Sequence, residues 1–104
     1  MRTYAEFWPH YVGAHRSPAN RALHYAGTLS AVGLLVAAAV TGEPLLVLAA
    51  PLVGYGLAWA GHFLVEGNRP ATFGHPLWSL YSDFRMLAFA VRGRMRAEVE
   101  RLGS

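Results

Sequence analysis

Residues 22–65 read ALHYAGTLSAVGLLVAAAVTGEPLLVLAAPLVGYGLAWAGHFLV, and Glu43 is the only Asp, Glu, Lys or Arg among them. Glu43 sits in Thr41-Gly42-Glu43-Pro44, a turn signal in which glycine and proline both interrupt a helix. Just upstream, Ser17-Pro18 reads as an N-cap and a first helical residue. The apolar block therefore divides into segments of about 18–40 and about 45–65. Each reaches the ~20 residues that a helix needs to cross the hydrocarbon of a bilayer. The stretch predicts a transmembrane helical hairpin with its turn at Gly42 and Glu43.

Charge outside the block supports that hairpin. Arg2, Arg16 and Arg21 precede it against Glu6, while Arg69, Arg85, Arg92, Arg94, Arg96 and Arg101 follow it, and the turn has no Arg. The positive-inside rule then predicts an integral, multi-pass membrane protein with both termini cytoplasmic. Composition agrees: 54% of the 104 residues are hydrophobic and only 14% charged, where soluble domains carry roughly 25% charge. A soluble bundle is the alternative, but a chain this short has too few residues to cover two such helices. Ala37-Ala38-Ala39 looks like a signal-peptide cleavage site, yet the stretch before its apolar run is long, aromatic and helix-patterned rather than short and basic, so no cleavage is expected. The expectation is a single membrane-embedded all-α domain over residues 1–104. With no cysteine, disulfide scaffolds, thiolate metal sites and cysteine nucleophiles are excluded. The arginines flank an apolar hairpin and form no stripe interleaved with stacking aromatics, so membrane lipid is the expected partner and nucleic acid is not.

Working outward, Thr3 and Glu6 have the spacing of a capping box. The helix they open carries Tyr4, Phe7, Trp8, Tyr11 and Val12 on one face, an amphipathic pattern suited to the headgroup layer, and Pro9 should kink it. It breaks between Gly13 and Ser17, beside His15. After the hairpin, Glu66-Gly67-Asn68-Arg69-Pro70 is a stop and a loop. From Pro76 a second amphipathic helix follows, with Leu77, Leu80, Tyr81, Phe84, Leu87, Ala88 and Val91 in helical period. It contains Asp83 and Arg85, too costly for a span, so it is expected against the hairpin end or at the interface. The tail, 92–101, is expected to be a basic, solvated helix near anionic lipid.

The histidines carry the chemistry. His24 lies about 18 residues before the turn and His62 about 20 after it, so at ~1.5 Å per residue both sit ~27–30 Å from the turn, at one depth. His15 in the adjoining break can reach the same end, and Glu66, four residues after His62, shares its helical face. Ala50, Gly54 and Ala58 lead to His62 and Glu66 at intervals of four, and Gly27, Ala31 and Ala38 offer a matching stripe, so the helices can approach closely. The same stripes would also suit a homodimer. Three imidazoles and a carboxylate thus converge as candidate ligands. That donor set suits Fe, Zn, Cu or Ni, and with open positions it is the non-haem Fe(II) pattern. Asp83 could sit behind a ligand and hold its ring through the other nitrogen, or pair with Arg85 or Arg69. His10, on a polar face, and His75, in a loop, look peripheral.

Taken together, His15-x-x-Pro18-x-Asn20-Arg21-x-x-His24-x-x-Gly27 and Gly61-His62-x-x-x-Glu66-x-x-Arg69-Pro70-Ala71 resemble the family of Fe(II)-dependent 2-hydroxy fatty acid dioxygenases, over about residues 4 to 90. The resemblance implies a small multi-pass membrane enzyme that shortens 2-hydroxy fatty acids by one carbon with O2 and Fe(2+), and that His15, His24 and His62 match the essential histidines. A 2-hydroxy acid would chelate iron through carboxylate and hydroxyl, with Arg21 or Arg69, and Asn20, as candidate substrate contacts. Trp59, Phe63, Phe73, Trp78 and Phe84 are candidates to line an acyl site. The competing readings are a membrane haem protein with His24 and His62 as axial ligands, and a non-catalytic lipid-binding protein.

Overall fold

The computed structural model describes residues 1–103. In chain order its helices are α1 (Tyr4–Gly13), α2 (Pro18–Thr41), α3 (Leu45–Ala60), α4 (Pro76–Val91) and α5 (Met95–Gly103). A π-helical turn, Gly61–Glu66, continues α3 without interruption, and a 3-10 turn, Ala71–Phe73, precedes α4. Among the described residues there are no strands.

The hairpin forms where the apolar pattern places it. Pro18 opens α2 at a position where its missing N–H costs nothing. Gly42 closes α2 at φ +74°, a left-handed conformation that glycine adopts without strain. Glu43 then turns its carboxylate onto the N–H of Leu45 (3.1 Å), capping the start of α3. Pro18–Thr41 and Leu45–Glu66 are both long and apolar enough to cross a membrane. The rest of the chain does not cover them: only 17% and 22% of their most apolar windows are buried. Leu29, Val36, Val40, Leu48 and Leu52 all face outwards, so the hairpin presents an apolar outer face that the described residues leave uncovered.

Small residues hold α2 against α3. A Cβ on Gly27 would lie 2.8 Å from the carbonyl oxygen of Gly54, and one on Gly54 would touch Ala31 at 3.4 Å. The two stripes seen in the sequence are therefore consumed inside the hairpin, where they bring its backbones together.

The flanking helices pack at the end of the hairpin that bears the chain termini. The aromatic face of α1, expected to lie among headgroups, turns instead to protein: Phe7, Trp8, Tyr11 and Val12 are buried with Met86 of α4 and Met95 of α5. The tail helix α5 is likewise more than a solvated face. Met95 and Glu98 are buried, and Trp8 Nε1 donates to Glu98 Oε2 at 2.7 Å. Arg101 forks the same carboxylate at 2.7 and 2.9 Å and holds it below the usual range. The reason is area: α1 alone cannot bury two large rings and a tryptophan, whereas α1, α4 and α5 together can. Arg85, once a candidate partner of Asp83, instead places its guanidinium 4.3 Å from the centre of the Trp8 ring.

Candidate metal centre

Three elements each supply one histidine. His15 hangs from the break after α1, His24 from the first turns of α2, and His62 from the π-helical end of α3. All three are buried, at 0%, 4% and 2% exposure. Their ring centroids lie 4.4, 4.5 and 4.9 Å apart, nearly perpendicular to one another. One ligand atom from each falls within a 4.8 Å envelope. His10 is exposed and His75 stacks on Trp78 at 5.0 Å, so neither joins the cluster.

The hydrogen bonds fix which nitrogen points inwards. His15 Nδ1 donates to the carbonyl of Tyr11 (2.6 Å), and His24 Nδ1 to the carbonyl of Asn20 (2.9 Å). His62 Nδ1 faces Asn68 Oδ1 at 2.7 Å, while the Asn68 amide nitrogen donates to the carbonyl of Ala14 (3.0 Å). A carbonyl can only accept, so each Nδ1 carries the proton and each Nε2 keeps its lone pair. The Nε2 atoms of His15 and His24 are 3.1 Å apart. Two lone pairs at that separation repel unless a cation lies between them. Burial, reinforced by the neighbouring His24 and opposed by the Tyr11 carbonyl, pushes the His15 pKa well below the usual histidine value, which disfavours a proton in that role. Nitrogens ~2.1 Å from one metal ion and ~90° apart are ~3.0 Å from each other. The His15–His24 spacing therefore fits a shared metal ion, and the third neutral imidazole, His62, lies in the same 4.8 Å envelope.

Glu66, expected as a fourth ligand, is not brought to the cluster. Its Oε1 accepts from the backbone N–H of Ser17 (2.5 Å) and from Asn20 Nδ2 (3.3 Å). Two physical causes combine. The π-helical turn changes the register after Ala60, so the interval of four from His62 no longer marks one face. The N-terminus of α2 also offers unpaired N–H groups, which attract a carboxylate. Glu66 thereby ties the end of α3 to the start of α2, beside the histidines.

Asp83, expected to hold a ligand ring through its second nitrogen, bonds none of the three imidazoles, whose Nδ1 atoms meet Tyr11, Asn20 and Asn68, and it reaches the cluster only through Tyr11. The Tyr11 hydroxyl donates to Asp83 Oδ1, and the Tyr11 ring stacks on His15 at 4.1 Å. Burial raises the Asp83 pKa to about 6 against the opposing Tyr11 hydrogen bond, and burial with the adjacent Asp83 pushes the Tyr11 phenol well up. The candidate substrate contacts go elsewhere. Arg21 is buried and spends its guanidinium on the carbonyls of His15 (2.8 Å) and Arg16 (2.7 Å), fixing the break that carries His15. Arg69 is exposed above the Phe73 ring. Asn20 is wedged against Gly61, where any Cβ would collide with its amide.

Two cavities meet at the histidines. A small one of about 10 Å³, the size for a water or an ion, is walled by the three imidazoles with Tyr11, Trp59 and Ser79 among its other sides. A larger apolar groove of about 320 Å³ runs from Leu35 and Ala50 in the hairpin to His24 and Asp83, with Leu80 and Phe84 of α4 along one side. His24, Ala58 and Asp83 border both. Of the aromatics proposed for an acyl site, Phe84 lines the groove; Trp59 lines the small cavity, and Phe63, Phe73 and Trp78 line neither. Asn68 escaped the sequence reading. Its only signal there was a polar loop residue six positions after His62, and its role appears once the loop folds back onto Ala14.

A family model described as 2-hydroxy-palmitic acid dioxygenase Mpo1-like matches residues 1–95. No curated protein and no solved structure matches the chain.

Proposed function

Since the chain belongs to the 2-hydroxy-palmitic acid dioxygenase Mpo1-like family, we propose that it is an integral membrane, iron(II)-dependent dioxygenase of 2-hydroxy fatty acids, with His15, His24 and His62 as the metal ligands. The observation that carries this reading is the convergence of three buried imidazoles whose Nδ1 atoms are all committed elsewhere, with the Nε2 atoms of His15 and His24 3.1 Å apart. When bound, iron(II) supplies two-point chelation of a hydroxyl and a carboxylate together with the redox chemistry of O2.

The remaining work belongs to the protein. Tyr11, Asn20 and Asn68 hold the imidazole rings in one tautomer and aim them. Glu66 and Arg21 fix the two backbones that carry His15 and His24. The apolar groove takes the acyl chain, and its edge residues Val32, Leu35, Leu80 and Phe84 are 40–47% exposed, so a lipid can enter sideways from the bilayer. The carboxyl end then lies where groove and metal cavity meet, at His24 and Asp83. Burial keeps bulk water from the three ligands, which protects the oxygen chemistry from side reactions. A haem between His24 and His62 is the weaker reading, because the His15 ring lies 4.4 and 4.5 Å from theirs as a third candidate ligand.

The test uses the full chain purified in detergent and loaded with Fe(II). About one iron per chain, O2 consumption on adding 2-hydroxypalmitate, and a product one carbon shorter are expected. A chain that binds no iron and leaves the 2-hydroxy acid unchanged would overturn the reading, and an absorbance band in the Soret region would favour haem.

A further inference from the structure

Besides Asn20 Oδ1, which lies against Gly61 and walls neither cavity, two buried polar atoms near the histidines have no hydrogen-bond partner among the described residues: Trp59 Nε1 and Ser79 Oγ. They come from different elements, α3 and α4, yet both residues wall the small cavity that the three imidazoles share. Ser79 is 2% exposed, in the first turn of α4, and its backbone N–H already bonds the carbonyl of His75 (2.9 Å). The Trp59 ring is held edge-on to Phe73 at 5.1 Å and tilted to Tyr55 at 5.8 Å, so packing fixes the ring that carries its N–H. A buried donor without an acceptor is costly, and folded chains rarely leave two in one place without a use.

The chemistry of the wall says what the use is. An indole N–H can only donate, and a serine hydroxyl donates readily. The imidazole lone pairs on the same wall serve the ion. Asp83, the wall's carboxylate, already accepts from Tyr11. The cavity thus presents two unmatched donors beside a cation site at the end of an apolar groove, and neither Arg21 nor Arg69 reaches it. The ligand group that answers this arrangement is rich in acceptors, anionic and attached to a hydrocarbon chain.

We propose that Trp59 Nε1 and Ser79 Oγ form the carboxylate clamp of the substrate, donating to the carboxyl oxygens of a bound 2-hydroxy acid. The proposal rests on the iron-site reading above and deepens it by assigning the residues that distinguish an acid from a neutral lipid. The clamp is neutral, so an arginine need not be desolvated beside a metal cation. It also uses fixed donors, which cost no reorganisation when the acid arrives.

The experiment compares 2-hydroxypalmitate with hexadecane-1,2-diol, which keeps the hydroxyl and the chain but has no carboxylate. Binding is measured calorimetrically without O2 on the iron-loaded full chain, with iron content and thermal midpoint recorded. Trp59→Phe and Ser79→Ala should each weaken the acid about tenfold, the loss of one hydrogen bond to a charged group. Both should leave the diol and the iron content unchanged. Because each removes an unpaired buried atom, both should keep or raise the thermal midpoint, and Ser79→Thr should retain acid binding. Wild-type affinity for the acid in both variants, or equal losses for acid and diol, would overturn the clamp while leaving the iron site standing. A wild-type chain that takes up no iron or no 2-hydroxy acid would overturn the iron-site reading and the clamp with it.

Discussion

Asn68 shows how much of the site depends on residues that bind nothing themselves. Its side chain bridges the His62 ring to the carbonyl of Ala14, so it couples the end of α3 to the break after α1. Asn68→Ala should lower metal affinity about 10–100-fold, the usual cost of losing a group that orients a ligand, and metal titration of the purified variant checks it. His62→Ala removes a proposed ligand and should abolish metal binding while the hairpin, held by backbone hydrogen bonds and small-residue packing, stays folded. His75→Ala, whose ring only stacks on Trp78, should keep its metal; the reverse pattern of iron contents would mean that the wrong histidines have been assigned. Asp83 sets a pH dependence. Its folded pKa is raised to about 6 from 3.8, so the fold favours the neutral carboxyl. That contribution is fully present below about pH 4 and is lost as pH rises through about 6. Asp83→Asn should therefore raise the thermal midpoint of the metal-free protein at pH 8 and change it little at pH 4. An equal shift at both pH values would show that burial of the charge is not the cause.

At the level of the element, the glycines of α2 separate packing from propensity. Gly27 lies against the Gly54 backbone, which cannot yield as a flexible side chain would, whereas a Cβ on Gly33 meets nothing within 4 Å. Gly27→Ala should push the two helices apart and destabilise by about 1–3 kcal/mol, the usual cost of overpacking. Gly33→Ala should be neutral or stabilising by up to about 1 kcal/mol. Unfolding of both variants in one detergent checks the contrast, and equal effects would dispose of the close-approach account. The hairpin was legible in the sequence because long apolar runs and a Gly-Glu-Pro turn are local signals. The π-helical turn was not. Residues 61–66, GHFLVE, contain nothing that marks it, and its register is set by what it meets: Asn20 against Gly61, Ser17 N–H against Glu66, and Asn68 against His62. A count of residues along an ideal helix therefore put Glu66 on the His62 face, and the tertiary contacts moved it off.

Across the whole molecule, the termini meet at one end of the hairpin. Trp8 bonds Glu98, and Arg16 reaches the carbonyl of Gly103 at 2.7 Å. With no Arg in the turn and Arg on both flanks, both termini should face the cytoplasm and Glu43 the opposite side. Single cysteines placed by Glu43→Cys and Arg96→Cys in intact vesicles should label from opposite sides, and labelling from the same side would rule out the spanning hairpin. The paired depth of His24 and His62 followed from the sequence alone, because a symmetric hairpin makes depth a matter of counting residues from the turn. The two long apolar helices followed too, because hydropathy is additive along the chain and the Gly-Glu-Pro turn divides it locally. Three things waited for the tertiary structure. The aromatic face of α1 found α4 and α5, since which apolar surface covers another depends on where distant segments arrive. Glu66 became a tie between helices, since it meets the N–H of Ser17 at the start of α2 rather than the three histidines. Trp59 and Ser79 came to share one cavity with three histidines, since a cavity is bounded by residues with no common spacing in the chain.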